Sequence, residues 1–189
     1  MGKSAAGKDK IYSLLADNHE LSLNKLVLYT TRPIRAGEQN GVQYYFTDEC
    51  KLKEFEEEGK LIESRAYHTV HGIWTYFTAD DGQVDLLKGN YLGIGTLESY
   101  QKLREYYGTE YVIPLYVQVE DGERLQRALC RERAQENPKY EEMCRRFLAD
   151  AADFSEEKLK EAQITRRFVN DSLEGVEKEI VSYIKEQQG

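Results

Sequence analysis

Two groups of residues in this 189-residue chain have the types and spacing to handle phosphate. The first is Gly2-Lys3-Ser4-Ala5-Ala6-Gly7-Lys8, a G-x-x-x-x-G-K segment. Its small residues let successive backbone N–H groups curl around an anion, and a following helix turns its positive end to the same charge. Lys8 then neutralises the outer phosphates and follows the charge as it moves during transfer. The next position in such loops is ordinarily Ser or Thr, whose hydroxyl meets Mg2+. Here it is Asp9, a hard oxygen ligand that also suits Mg2+ but adds negative charge, with Lys10 as an offset.

The second group is Arg32 and Arg35, three apart in a loop marked by Pro33, Gly37 and Asn40-Gly41. Two guanidinium forks at that spacing can grip one phosphate through bidentate, charge-assisted bonds. Tyr44 and Tyr76 can add phenolic O–H donors. The plain alternatives are solvated loop charge for the arginines and aromatic packing for the tyrosines. A further crowd of arginines, among them Arg127, Arg131, Arg133, Arg145 and Arg146, flanks Asn137-Pro138. A mobile lid could carry such charges onto a migrating phosphoryl group; the alternative is ion pairing along solvated helices with Glu132, Glu136, Glu141 and Glu142.

Positioning these groups calls for alternating elements. Helices are expected over residues 8–17, 48–58, 97–107, 121–136, 139–151 and 172–187, and strands over 26–30, 61–67, 73–78, 91–95, 111–119 and 167–170. Strands alternating with helices predict an α/β fold with a parallel sheet covered on both faces. Residues 32–78 read as a small, partly β lobe.

Thr30-Thr31-Arg32-Pro33-Ile34-Arg35-Ala36-Gly37-Glu38, with Asn40-Gly41 and Tyr44-Tyr45-Phe46, resembles the guanylate kinase segment T-T-R-x-x-R-x-G-E-x-x-G-x-x-Y-x-F. The resemblance continues with gaps through Leu61-Ile62-Glu63 and Tyr76-Phe77-Thr78 to Val169-Asn170-Asp171, nearly the whole chain. It implies a three-layer P-loop kinase fold in one domain, with a core of 1–31, 79–126 and 150–189, a monophosphate-binding lobe of 32–78 and a helical lid of 127–149. It also implies ATP-dependent, Mg2+-dependent phosphorylation of a nucleoside monophosphate, GMP above all, in the cytoplasm.

Residue by residue, the resemblance places ATP on Gly2, Ser4, Ala5, Ala6, Gly7, Lys8 and Asp9, with Asn170 near the adenine and Asp9 as the Mg2+ ligand. It places the GMP phosphate on Arg32, Arg35, Tyr44 and Tyr76. Glu63 would accept from the adjacent N1 and N2 donors of guanine, and Thr78, a serine in the family, would help position the base. Catalytic charge would come from Lys8, from Arg146 in E-E-x-x-x-R, and from Arg131 or Arg133.

The base end departs from the pattern. Gly93 and Gly95 stand at two family aspartates, with Glu98 the nearest carboxylate, and Leu28 replaces a serine that contacts the base. A kinase of this fold acting on another phosphorylated acceptor therefore stays open, as does a non-catalytic phosphopeptide-binding module, which Lys8 opposes. The loop also begins at Gly2, whereas a phosphate loop ordinarily follows a central strand. The expectation is that Met1 is internal to a longer reading frame, with about four to six mainly apolar residues upstream. Restoring them should raise both melting temperature and ATP affinity.

A net charge of −8 argues against a general nucleic-acid binder. No apolar run reaches the ~18 residues of a membrane span, and no basic segment followed by an apolar one suggests secretion. Cys50, Cys130 and Cys144, odd in number and without close metal spacing, read as reduced thiols used in packing. His68 and His71 lack a third ligand nearby, so a turn is expected there rather than a metal site. Trp74 reads as lobe core.

Overall fold

A computed structural model of the chain describes residues 1–69 and 72–188. Its helices are α1 (Lys8–Ala16), α2 (Glu49–Glu57), α3 (Leu97–Tyr107), α4 (Asp121–Arg133), α5 (Tyr140–Asp153), α6 (Glu156–Glu161) and α7 (Leu173–Gln188). Its strands are β1 (Leu23–Lys25), β2 (Tyr29–Thr30), β3 (Tyr45–Phe46), β4 (Leu61–Thr69), β5 (Gly72–Ala79), β6 (Asn90–Leu92), β7 (Tyr116–Gln118) and β8 (Arg167–Val169). These form two compact units.

The first unit comprises Met1–Ser22, Ile94–Tyr100 and Ile113–Gly189. Strands β7 and β8 pair in parallel, Val117 opposite Phe168. Met1 lies beside β7: its N–H donates to Leu115 O at 2.9 Å and its carbonyl accepts from Val117 N at 3.0 Å. Those bonds bracket Tyr116, the pattern of a parallel ladder one residue long. Ile11 and Leu15 on α1, and Val176 and Ile180 on α7, are spaced i,i+4 and buried with Phe154, Leu159 and Phe168. By contrast α5 has no buried residue, and Leu148 on it is exposed. Helix α6, capped by Ser155 on Lys158 N, falls where only a connection was expected.

The second unit comprises Leu23–Gly93 and Gln101–Val112. A mixed sheet runs β3-β2-β5-β4, and β1 pairs in parallel with β6. Phe55 from α2 packs against Phe77 and Ala79, with Tyr29, Leu52 and Leu61 around them. Asp48 caps α2 through Lys51 N. Gly59, at φ +67°, ends it in a left-handed turn that glycine adopts without strain.

Several predicted strands are shorter than expected. Of 26–30 only Tyr29–Thr30 pairs as a strand, because the Gln83 side chain binds both polar backbone groups of Val27, at 2.9 and 3.2 Å. Of 111–119 only Tyr116–Gln118 pairs, since Pro114 cannot donate. The strand at 91–95 is three residues, Asn90–Leu92, and the helix at 121–136 stops at Arg133. The cysteines correct the packing expectation: Cys50, Cys130 and Cys144 are all free and exposed. The proposed turn at His71 lies outside the described residues.

Candidate functional site

In the first unit the phosphate loop is held by bonds along its length. At Gly2 a Cβ would sit 2.5 Å from Val117 O, so only glycine lets the chain pass there. Ala5 adopts a left-handed backbone, φ +63°, and Gly7 does so at +85°. The curl between them closes with Ala6 N donating to Lys3 O at 3.2 Å. Gly7 opens α1 with no side-chain cap, so no capping side chain takes the amides of that first turn.

Asn170 supports the loop rather than facing open space. Its Nδ2 donates to Ala6 O at 2.8 Å, its backbone N to Gln118 O at 2.8 Å, and the residue is buried. A Cβ on Gly7 would lie 2.4 Å from that amide nitrogen. Replacing Asn170 by Ala leaves the Ala6 carbonyl without this partner; a stability loss of about 1–2 kcal/mol is expected in urea unfolding.

Lys8 Nζ lies 3.3 Å from Asp9 Oδ2, and Asp9 is largely exposed. Among the described residues no three histidine, cysteine or acidic side chains gather as a metal site, so Asp9 offers one carboxylate on its own.

Of the arginines assigned to a lid, Arg131, Arg133 and Arg146 are exposed and, among the described residues, their side chains form no hydrogen bond or ion pair, though the charge of Arg146 helps lower the Glu142 carboxyl. The expected pairing with one of those glutamates holds instead for Arg145, bound to Glu142 by two 2.7 Å bonds, whereas Arg127 pairs with Glu123 at 2.8 Å, a partner not foreseen. Arg145 in turn draws the Glu142 carboxyl below its usual range. Glu132 is buried and accepts from Lys139 N, bracing the turn between α4 and α5.

In the second unit the phosphate-type residues converge. Thr30 and Thr31 tie the end of β2 to β5: Thr30 Oγ1 donates to Thr75 O at 3.0 Å, and Thr31 Oγ1 accepts from Thr75 N at 2.9 Å. That fixes the next residue, Arg32, whose side chain is only 3% exposed. Its Nη1 and Nη2 donate to the two oxygens of Glu38, at 3.0 and 2.8 Å, and Nε donates to Tyr76 Oη at 3.2 Å. The guanidinium also faces the Tyr44 and Phe46 rings at 5.7 and 5.4 Å. Bonding from Arg32 holds Glu38 below the ordinary carboxylate range despite its desolvation. Arg35 is exposed with its guanidinium 6.0 Å from the Trp74 ring; Trp74 is half-buried beside it rather than deep in the lobe.

Strand alternation continues this polar strip. Glu63 pairs with Thr78 and Arg65 with Tyr76 across β4 and β5. A register shift between Leu61 and Glu63 buries both Ile62 and Glu63, as a bulge can. Glu63 accepts from Thr78 Oγ1 at 2.8 Å and from Arg65 Nε at 3.0 Å. Arg65 was not foreseen as a partner. Tyr29 turns to the opposite face, stacked on Phe77 at 5.1 Å and bonded to Asp81; burial, and then that bond, raise its phenol pKa.

Comparison with known proteins places the chain in a family. The Guanylate kinase family model matches residues 1–187. A guanylate kinase of Nitrosomonas europaea is 35% identical over 65 residues, 34% of this chain and 32% of that protein. One of Granulibacter bethesdensis is 43% identical over 75 residues, 36% of this chain and 34% of that protein. The chain thus aligns with about a third of the length of these relatives. A crystal structure of guanylate kinase from Anaplasma phagocytophilum superposes with a TM-score of 0.61 at 21% identity, covering 99% of this chain and 83% of that one, a likeness of fold. With its P-loop kinase fold and a family match running from the phosphate loop to the last helix, the chain belongs to the guanylate kinase family.

Proposed function

We propose that the chain transfers a phosphoryl group from ATP to a nucleoside monophosphate, with GMP the preferred acceptor. The observation that carries this reading is the Arg32 fork. A buried guanidinium is presented edge-on to two oxygens, now those of Glu38, with Tyr76 on its third edge. Two oxygens of a phosphate dianion fit the same fork. ATP would lie on the loop at Gly2–Lys8, its phosphates on the backbone amides and Lys8. When bound, Mg2+ supplies charge neutralisation on the phosphates. Asp9 suits it, because this ion is ordinarily held by one or two carboxylates, substrate phosphates and water. Arg131, Arg133 and Arg146, exposed on the surface, are available to the migrating group.

A second reading, a kinase acting on a different phosphorylated acceptor, is favoured by one observation: the Glu63 carboxylate already has Arg65 as its counter-charge. ATP turnover measured across GMP, AMP, UMP and CMP decides between the two. GMP should be fastest by at least tenfold. Turnover with none of the four, in a chain that still binds ATP, would sink the monophosphate reading. Within that assay, Arg32→Lys should raise the KM for the monophosphate roughly ten- to hundredfold, because lysine keeps the charge but not the fork. The KM for ATP should stay within about twofold, as expected for a residue that touches only the acceptor.

A further inference from the structure

Ser4, in the middle of the phosphate loop, has both of its backbone polar groups taken by side chains far away in sequence. Its N–H donates to Asp150 Oδ2 at 2.8 Å, and its carbonyl accepts from Arg124 Nη1 at 3.2 Å. The two side chains also bind each other, Nη1 to Oδ2 at 3.1 Å. The ring thus formed contains a loop residue, the first turn of α4 and the last turn of α5. Arg124 is 1% exposed. Its other side is closed by Asp121, whose Oδ1 is 3.1 Å from Nε, and by the Phe147 ring 4.0 Å from the guanidinium carbon. Lys3, the residue before Ser4, reaches the same Asp121 oxygen at 3.4 Å.

The next residue explains why such a clasp is useful. Ala5 is left-handed at φ +63°, a conformation that costs a non-glycine residue on the order of 1 kcal/mol and persists only where the surroundings impose it. Downstream, Asn170 holds Ala6; upstream, Met1 is held on β7. Between those anchors Arg124 and Asp150 are the side chains on Ser4. An anion site made of backbone amides works only if those amides already point inward before the ligand arrives.

We infer that Arg124 and Asp150 are positioning residues for the phosphate loop, fixing Ser4 by both backbone groups so that the left-handed turn at Ala5 and the amides after it are set for phosphate. Neither residue needs to touch the nucleotide. The inference rests on the reading of this loop as the ATP site, but the clasp itself is tested separately.

The decisive variant is the double replacement Arg124→Met with Asp150→Leu. Removing both charges together avoids leaving one buried and unpaired, and such swaps commonly leave stability unchanged or raise it. If the pair only supports the fold, the double variant should resemble the parent once its melting temperature matches. If it positions the loop, amide hydrogen exchange across residues 2–8 should speed up at least tenfold, while α7 and the β4–β5 hairpin exchange as before. The KM for ATP should rise at least tenfold while the KM for the monophosphate stays within about twofold. Arg124→Lys should fail to restore either, because a lysine lacks the Nε and Nη2 by which Asp121 holds the guanidinium while Nη1 serves both Ser4 O and Asp150. Unchanged loop exchange and unchanged ATP KM in a folded double variant would overturn the inference. Should the parent chain show no ATP turnover at all, the proposed function fails, and the exchange measurement alone still decides the clasp.

Discussion

Lys8→Met should lower turnover by roughly a hundredfold or more, the scale of losing one preorganised electrostatic contact to a transition state. Monophosphate binding should hardly change, because Arg32, Arg35, Tyr44 and Tyr76 belong to the other unit. Phosphoryl transfer asks the protein for little covalent chemistry, so its contribution is position and neutralisation. Helix α1 starts with Lys8 and has no capping side chain, and the lysine side chain is partly solvent-accessible with Asp9 as its neighbour at 3.3 Å. It is therefore held loosely and free to move to a phosphate. Methionine keeps the length and apolar stem but removes the charge. A companion, Asp9→Asn, separates the two roles of this neighbourhood. It releases Lys8 from its ion pair yet removes the carboxylate offered to Mg2+, so the Mg2+ concentration for half-maximal rate should rise several-fold. Steady-state kinetics with ATP and GMP at varied Mg2+ measures both. Equal turnover in Lys8→Met and parent would mean that the loop does not do this chemistry.

What could be read from the sequence was whatever chemistry is local in the chain. The phosphate loop occupies seven consecutive residues, and Arg32 and Arg35 lie three apart in one turn-rich loop, so residue type and spacing put them forward; Glu38 entered only as part of the family segment. Arg124 and Asp150 were missed because they reach Ser4 across 120 and 146 residues, and a lone arginine on a charged helix carries no mark of burial. The bond from Asn170 to the loop carbonyl of Ala6 was missed for the same reason, since it spans 164 residues. Arg65 was within reach: residues two apart on a strand share a face, so a strand over 61–67 already put Arg65 beside Glu63. The bulge after Leu61 was not legible, since it arises from pairing with β5 rather than from the composition of β4. The shortened strand at β2 has the same origin, a distant glutamine side chain taking over a ladder's bonds.

Glu63→Gln is expected to have two effects of different origin, and separating them tests the base assignment. Glu63 is a buried carboxylate whose partners are Arg65 and Thr78. Glutamine keeps the shape but removes the counter-charge of an Arg65 side chain that is only 12% exposed. Breaking one half of a largely buried pair costs about 3–5 kcal/mol, so the melting temperature should drop by several degrees or more. The second effect concerns the base. A carboxylate can accept from two adjacent donors of guanine, whereas glutamine turns one acceptor into a donor facing an N–H. GMP affinity should fall by roughly tenfold to a hundredfold, with UMP and CMP affinities moving little, since a polar site with one mismatched group rejects its ligand strongly. Adding Arg65→Gln to Glu63→Gln removes the guanidinium that had faced the carboxylate, and stability should largely recover. If discrimination against UMP stays lost in that stable double variant, Glu63 reads the base directly. If GMP affinity measured by calorimetry returns with the stability, Glu63 serves Arg65 alone, the base is recognised elsewhere, and the reading with a different acceptor takes its place.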